Sequence, residues 1–278
     1  MLALAALAGL GGAAYAATGS TNSGANSGGA TAAVDDDDRL PSMVVGEGLE
    51  RLPFRTARDW VGYADVIVVA NVVSDREGTA SDEEIAAGEG YIPRTAQLSV
   101  TETLWSTSGP WVPTPPTHLS LGVAGWAFHG EQRAEFVVGD APRVEVGHTY
   151  IIPLARDADG GWAPLAPQAI LPYDRKRIGT GEAKGIDPDD LTALSAAVRG
   201  KSGAELSQAL DLTSPEAIVA KYHDLAPDAR FNEVVQELDA SAPPPSEDTA
   251  DHGPDEPQDD PWNGAEDDVE EDPTEPMD

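Results

Sequence analysis

The chain has 278 residues, no cysteine, and 17 basic against 49 acidic residues, a formal charge of −32. The missing thiols exclude disulfides, thiolate catalysis and Cys-ligated zinc, so any folded part relies on an apolar core. The charge of the whole chain would repel nucleic acid and anionic lipid, because both need a basic surface to displace counterions. That charge is unevenly spread: residues 239–278 hold 16 Asp and Glu and no Lys or Arg, half of the net value.

The chain opens MLALAALAGLGGAAYAATGS. Residues 2–17 are uncharged and almost wholly apolar, a length that suits a signal-peptide core better than a bilayer span of about 20 residues. Ala14-Tyr15-Ala16 puts small residues at the two positions a signal peptidase reads. Residues 1–17 are therefore expected to be a signal peptide or, with a basic leader upstream, an uncleaved signal anchor. Residues 18–42 are Gly/Ser/Thr/Asn-rich and include Asp35 to Asp38; they read as a flexible linker. Four adjacent Asp residues lack the spacers and glycine of a calcium loop. The expected address is extracellular or cell-envelope.

The folded part is expected from residue 43. ADVIVVANVVSD, residues 64–75, is a Val/Ile-rich strand, expected to be buried on one face. An acidic, Gly-containing loop with one helical turn follows. RTAQLSVTETLW, residues 94–105, alternates Ala96, Leu98 and Val100 with Gln97, Ser99 and Thr101, the period of a half-buried strand. GPWVPTPPTHLSLGV predicts a proline-rich loop leading to a strand at 118–123. AEFVVGD and PRVEV predict further strands within 134–146. Residues 149–155 and 161–165 predict a hairpin around Asp157-Ala158-Asp159-Gly160-Gly161, with Pro164 and Pro167 marking an edge. Together these predict a mainly β fold, a small antiparallel β-barrel over residues 43–178.

Residues 186–239 change to helical period and predict a short α-helical segment packed on or beside the barrel. Leu191, Leu194 and Val198 share one face. Ser202 caps a second helix, Ser214 with Pro215 starts a third, and Phe231, Val234, Val235 and Leu238 mark a fourth. Residues 240–278 are acidic, Pro-rich and poor in apolar residues, and are expected to be disordered.

The order ADVIVVANVVS, VTETLWSTSG, VEVGHTYIIPLARDADGGWAPL resembles a group of exported actinobacterial proteins with a small OB/netrin-like, metalloproteinase-inhibitor-like β-barrel. It covers roughly residues 64–172. The resemblance implies structural roles: Gly147 at a turn, Tyr150 in the core, Asp159-Gly160 at the hairpin tip. The inhibitors of that superfamily use an N-terminal cysteine, which this chain lacks, so no inhibitory role is implied. Trp105-Ser106 stands where the group has Lys-Gly.

Chemistry is sparse. His118, His129, His148, His223 and His252 form no zinc spacing, and no serine sits in a nucleophile elbow. Glu102, Glu135 and Glu145 fall in polar surroundings and read as solvated. Glycine strings lack the context of a phosphate loop. The expectation is a non-enzymatic domain without metal or cofactor. Trp111, Trp126 and Trp162 are the ligand- or partner-facing candidates, because aromatic faces serve sugars and protein contacts alike and Trp111 and Trp126 are expected in Pro/Gly-rich loops. The partner classes are an extracytoplasmic protein or a cell-wall glycan, with membrane contact only through residues 1–17. A secreted glycan-binding hydrolase or hydrolase accessory is the alternative. The basic run Arg175-Lys176-Arg177 reads as a solvated connection between barrel and helices or as a docking point for the chain's own acidic tail.

Overall fold

A computed structural model describes residues 40–48, 50–108, 114–157, 159–189 and 191–241. The expectations for residues 1–17, for nearly all of the linker and tail, and for Trp111 lie outside the described residues. The described elements, in chain order, are β1 (Met43–Gly46), α1 (Ala57–Tyr63), β2 (Val66–Glu77), α2 (Asp82–Ala87), β3 (Glu89–Ser106), β4 (His118–His129), β5 (Gln132–Val138), β6 (Thr149–Arg156), β7 (Trp162–Pro164), β8 (Leu171–Pro172), α3 (Ala193–Val198), α4 (Gly203–Asp211), α5 (Ala217–Lys221) and α6 (Pro227–Ser241).

The protein is mainly β. Its eight strands form one mixed sheet in the order β1-β5-β4-β3-β2-β6-β7, with β8 also on β6. β1 runs parallel to β5; the other pairs are antiparallel. The sheet is open: among the described residues no ladder joins its two ends. β3 is the long central strand. Its first part pairs with β4 and its later part with β2.

β2 explains why its sequence lacks alternation. Val66, Val68, Ala70 and Val72 enter one cluster with Leu98, Leu121, Tyr150, Ile152 and Leu154. Ile67 and Val69 enter a second cluster with Trp60, Ile151, Leu194, Leu206, Leu210 and Val219. The first half of β2 is therefore buried on both faces, not on one as expected, and a strand covered on both sides reads as a continuous apolar run. β6 does the same, with Tyr150, Ile152 and Leu154 on one side and Ile151 and Ala155 on the other. The helices supply the second layer.

The helix ends follow side-chain chemistry. Thr56, Ser81 and Ser202 each accept from the backbone of the third helical residue, and Asp59, Glu84 and Glu205 return the bond to the cap. α5 differs from expectation: it begins after Glu216, and neither Ser214 nor Pro215 caps it. Pro215 packs instead close to Gly62 of α1. The PRVEV stretch is also not a strand. It is irregular, and Val144 adopts φ 61°. The hairpin is as expected: Leu154, Ala155 and Arg156 pair with Pro164, Ala163 and Trp162 at the end of the sheet.

Candidate functional site: a bulge braced by two buried arginines

Pro93 lies inside β3 and has no N–H to give. The β3–β4 register slips there: Ile92 pairs with Trp126, but Arg94 pairs with Val123. Two residues, Ala124 and Gly125, thus oppose one. Gly125 is required by contact, since a Cβ on it would meet the Ile92 carbonyl oxygen at 2.0 Å. A bulge of this kind removes ladder partners from buried carbonyls, and buried carbonyls need donors.

Two arginines supply them. Arg94 Nε donates to the Ala124 carbonyl at 3.0 Å, and Arg143 Nη2 donates to the Gly125 carbonyl at 2.7 Å. The side chains of both are 1% exposed. Arg94 Nη1 also donates to Asp75 Oδ2 at 3.0 Å and Glu145 Oε2 at 2.9 Å, and Nη2 donates to the Arg143 and Val144 carbonyls at 2.6 and 3.0 Å. Those five bonds use every N–H of its guanidinium. Arg143 Nη1 donates to Glu145 Oε1 at 2.7 Å, while its buried Nε has no partner. Burial, and then the neighbouring Arg94 charge, pushes the Arg143 guanidinium below its ordinary value, against the carboxylates of Glu145, Glu135 and Glu182. Glu145 is therefore not the solvated residue expected.

The same network holds the strained loop between β5 and β6. Val144 is a β-branched residue at positive φ, a costly conformation that the surroundings must impose. Its carbonyl is held by Arg94, and its N–H donates to Glu182 Oε2 at 3.1 Å. Tyr150 OH donates to the same oxygen at 3.1 Å and accepts from the Glu145 N–H at 2.8 Å. Burial first, then the Glu182 charge, pushes the Tyr150 phenol far up. Tyr150 is thus a core residue, as the resemblance implied, and also a polar link.

An apolar rim of two exposed valines lies within two residues of the braced carboxylates Asp75 and Glu145 along the chain. The β2–β3 register slips between Val72 and Ser74, which leaves Val73 as a bulged residue, 57% exposed. The Val72 N–H donates to the His148 carbonyl and the Gly147 N–H to the Val72 carbonyl, both at 3.0 Å. Val146, next to Gly147, is 46% exposed. Two exposed valines thus flank one pair of backbone bonds.

The tryptophans take other places. Trp126 is not in a loop; it lies in β4, half-buried, with the guanidinium carbons of Arg133, Arg143 and Arg94 at 4.8, 5.1 and 5.7 Å from its ring centre. Trp162 lies in β7 with Arg156 at 5.4 Å from its ring. Cationic side chains occupy ring surface that a sugar would need. Among the described residues no ring contact joins these two indoles. Glu135 pairs with Lys184 at 2.8 and 2.9 Å, and that hydrogen bond draws its carboxyl below the ordinary value.

A cleft lined by Gln168, Ile170, Leu171, Ile178, Leu191 and Arg199 has a volume of about 50 Å³. That is room for a few waters, far short of the roughly 300 Å³ at which small-molecule pockets begin. Among the described residues no three His, Asp or Glu side chains are placed to hold a metal ion, and no helix is long and apolar enough to cross a membrane. No protein-family model matches the chain, and no curated protein matches it.

The buried arginines escaped sequence reasoning because charged residues in short polar stretches read as surface. One signal was present: Pro93 immediately before a strongly alternating strand, with Gly125 in the run that becomes its partner.

Proposed function

We propose that the protein is a non-enzymatic binding module, exported to the cell envelope, whose β domain meets an extracytoplasmic protein through the Val73/Val146 rim. The observation that carries this reading is the brace next to the rim along the chain. Buried charge is spent on backbone carbonyls and on fixing a strained loop, and preorganised loops lose little entropy on binding. The apolar run of residues 2–17 and the linker after it support export and tethering. The OB/netrin-like reading of the fold is part of the same proposal. Its support is the path β4-β3-β2-β6-β7 and the approach of β4 to β7, with Cα atoms within 8 Å.

The glycan reading has less to stand on, since arginines lie over Trp126 and Trp162. The test is crosslinking on whole producing cells, comparing wild type with Val73→Glu/Val146→Glu. A discrete crosslinked species that the double variant loses, at unchanged melting temperature, supports the rim. An identical crosslinking pattern in both proteins rules it out. Quenching of Trp fluorescence by cell-wall oligosaccharide would favour the glycan reading instead.

A further inference from the structure

We propose that the turns at residues 175–179 and 199–201 form a binding site for a phosphate-bearing polyanion. The sequence shows one short basic run; the fold enlarges it. The Ile178 N–H donates to the Lys201 carbonyl at 2.9 Å, the Gly200 N–H to the Ile178 carbonyl at 2.8 Å, and Arg177 Nη1 to the Gly200 carbonyl at 3.0 Å. A Cβ on Gly179 would lie 3.1 Å from Arg199 Cγ, so Arg199 crosses directly over that turn. The two turns are therefore joined. They gather Arg175, Lys176, Arg177, Arg199 and Lys201, all exposed, five of the 17 basic residues of a chain with a charge of −32.

None of the five forms an ion pair with a described residue. The carboxylates nearby are engaged elsewhere. Asp174 meets His148 Nδ1 at 2.7 Å and accepts from the Thr149 N–H at 2.9 Å. Glu205 closes the capping box of α4; its bonds from Ser202 lower its carboxyl, and Arg177 and Lys201 lower it further.

The backbone is a second, independent sign. Arg175 and Lys176 are consecutive residues at φ 55° and 56°. Left-handed backbone is cheap for Gly and tolerable for Asn, and costly for long side chains. Stability alone would select Asn or Gly at both positions. Strain kept at two cations fits a site where those cations serve a ligand. Three planar guanidinium forks suit phosphate oxygens, which accept in pairs. Five charges across two turns exceed what one phosphate group takes, which points to a polymer or a multiply charged head. The acidic remainder of the chain does not forbid this, because fields between exposed charges decay within about 8 Å at physiological salt.

The test is calorimetric titration of the full chain with sodium tripolyphosphate at two salt concentrations. The informative variant is Arg175→Asn/Lys176→Asn, which keeps a residue tolerant of the left-handed turn and removes two charges. Saturable binding is expected, at least about tenfold weaker in the variant, with a salt slope shallower by roughly one to two. The melting temperature of the variant should be equal or higher. Co-sedimentation with phosphatidylglycerol vesicles tells the sources apart: pelleting assigns the phosphate to a lipid headgroup, and binding of tripolyphosphate without pelleting assigns it to a free polymer. Absence of saturable binding, or an unchanged affinity in the variant, overturns the proposal. Equal affinity for poly-glutamate overturns it in favour of an acidic protein.

Discussion

Arg94 and Arg230 are both buried and both bonded to backbone carbonyls, yet they do different work. Arg94 meets three carbonyls and two carboxylates at the β3–β4 bulge. Arg230 meets four carbonyls and no carboxylate: those of Tyr222, His223 and Leu225 after α5, and that of Gly62 in α1. Helix ends leave carbonyls without donors, as bulges do. Each arginine therefore stands where regular backbone pairing stops, and repairs it with a block of fixed donors. The difference lies in the charge. At the bulge it is neutralised on the spot, by Asp75 and Glu145. In the helical layer the nearest buried carboxylate is Asp65, which interacts with Arg230 only through space. The β side is a paired, braced centre; the helical side is a mended junction.

Removing the arginines is the harshest test of that distinction. Arg94→Met leaves Asp75 and three carbonyls without their donor and Glu145 hydrogen-bonded by Arg143 alone, and should cost about 3–5 kcal/mol in urea unfolding. Arg94→Lys should recover less than half of this, because one ammonium cannot span the fork. A stable Arg94→Met protein would end the idea of a brace. Arg230→Met removes donors but strands no bonded carboxylate, and should cost less, about 2–3 kcal/mol.

Asp65 separates the two centres by pH. It is fully buried; its Oδ2 accepts from the Arg156 N–H at 2.8 Å, and its Oδ1 has no partner. Burial raises its pKa, against the bond from Arg156 and the charges of Arg230, Arg156 and Arg51. The folded state then holds this proton more tightly than the unfolded chain. Its contribution favours folding at low pH and is lost as pH rises through the ordinary carboxylate range to the raised folded value. Asp65→Asn should therefore gain stability relative to wild type as pH rises through the ordinary carboxylate range, from about pH 4 upward, read as urea midpoints. A constant difference across that range would show that the carboxyl stays ionised in the fold.

β2, β5, β6, the later part of β3, the start of β4 and the hairpin were legible because periodicity and turn chemistry act over a few residues, whereas PRVEV was read as a strand and is irregular. The Ser202 cap was legible for the same reason. α1 was not read: seven residues give too little period, and only Thr56 with Asp59 announced it. The start of α5 was misplaced because Pro215 answers to Gly62 and not to its own helix. The brace was illegible because Asp75, Arg94, Arg143, Glu145 and Glu182 converge from separate segments, and no local pattern distinguishes a buried arginine from a solvated one. The basic patch was half legible: residues 175–177 stood out, while Arg199 and Lys201 join them only through the folded turns.

The smallest effect tests where brace ends and rim begins. Val144 and Val146 are the same residue two positions apart. Val144 is buried in the core at positive φ, and Val146 is exposed. Val144→Ala removes packed methyl groups but not the strain, and should cost about 1–2 kcal/mol. Val146→Ser should stay within about 0.5 kcal/mol of wild type, as exposed substitutions do, and so should Val73→Ser. Equal costs at 144 and 146 would mean that Val146 packs inward and that no apolar rim is offered. A near-neutral Val146→Ser that also weakens the cell-surface crosslink would show that this valine is kept for what it touches outside the protein, not for the fold beneath it.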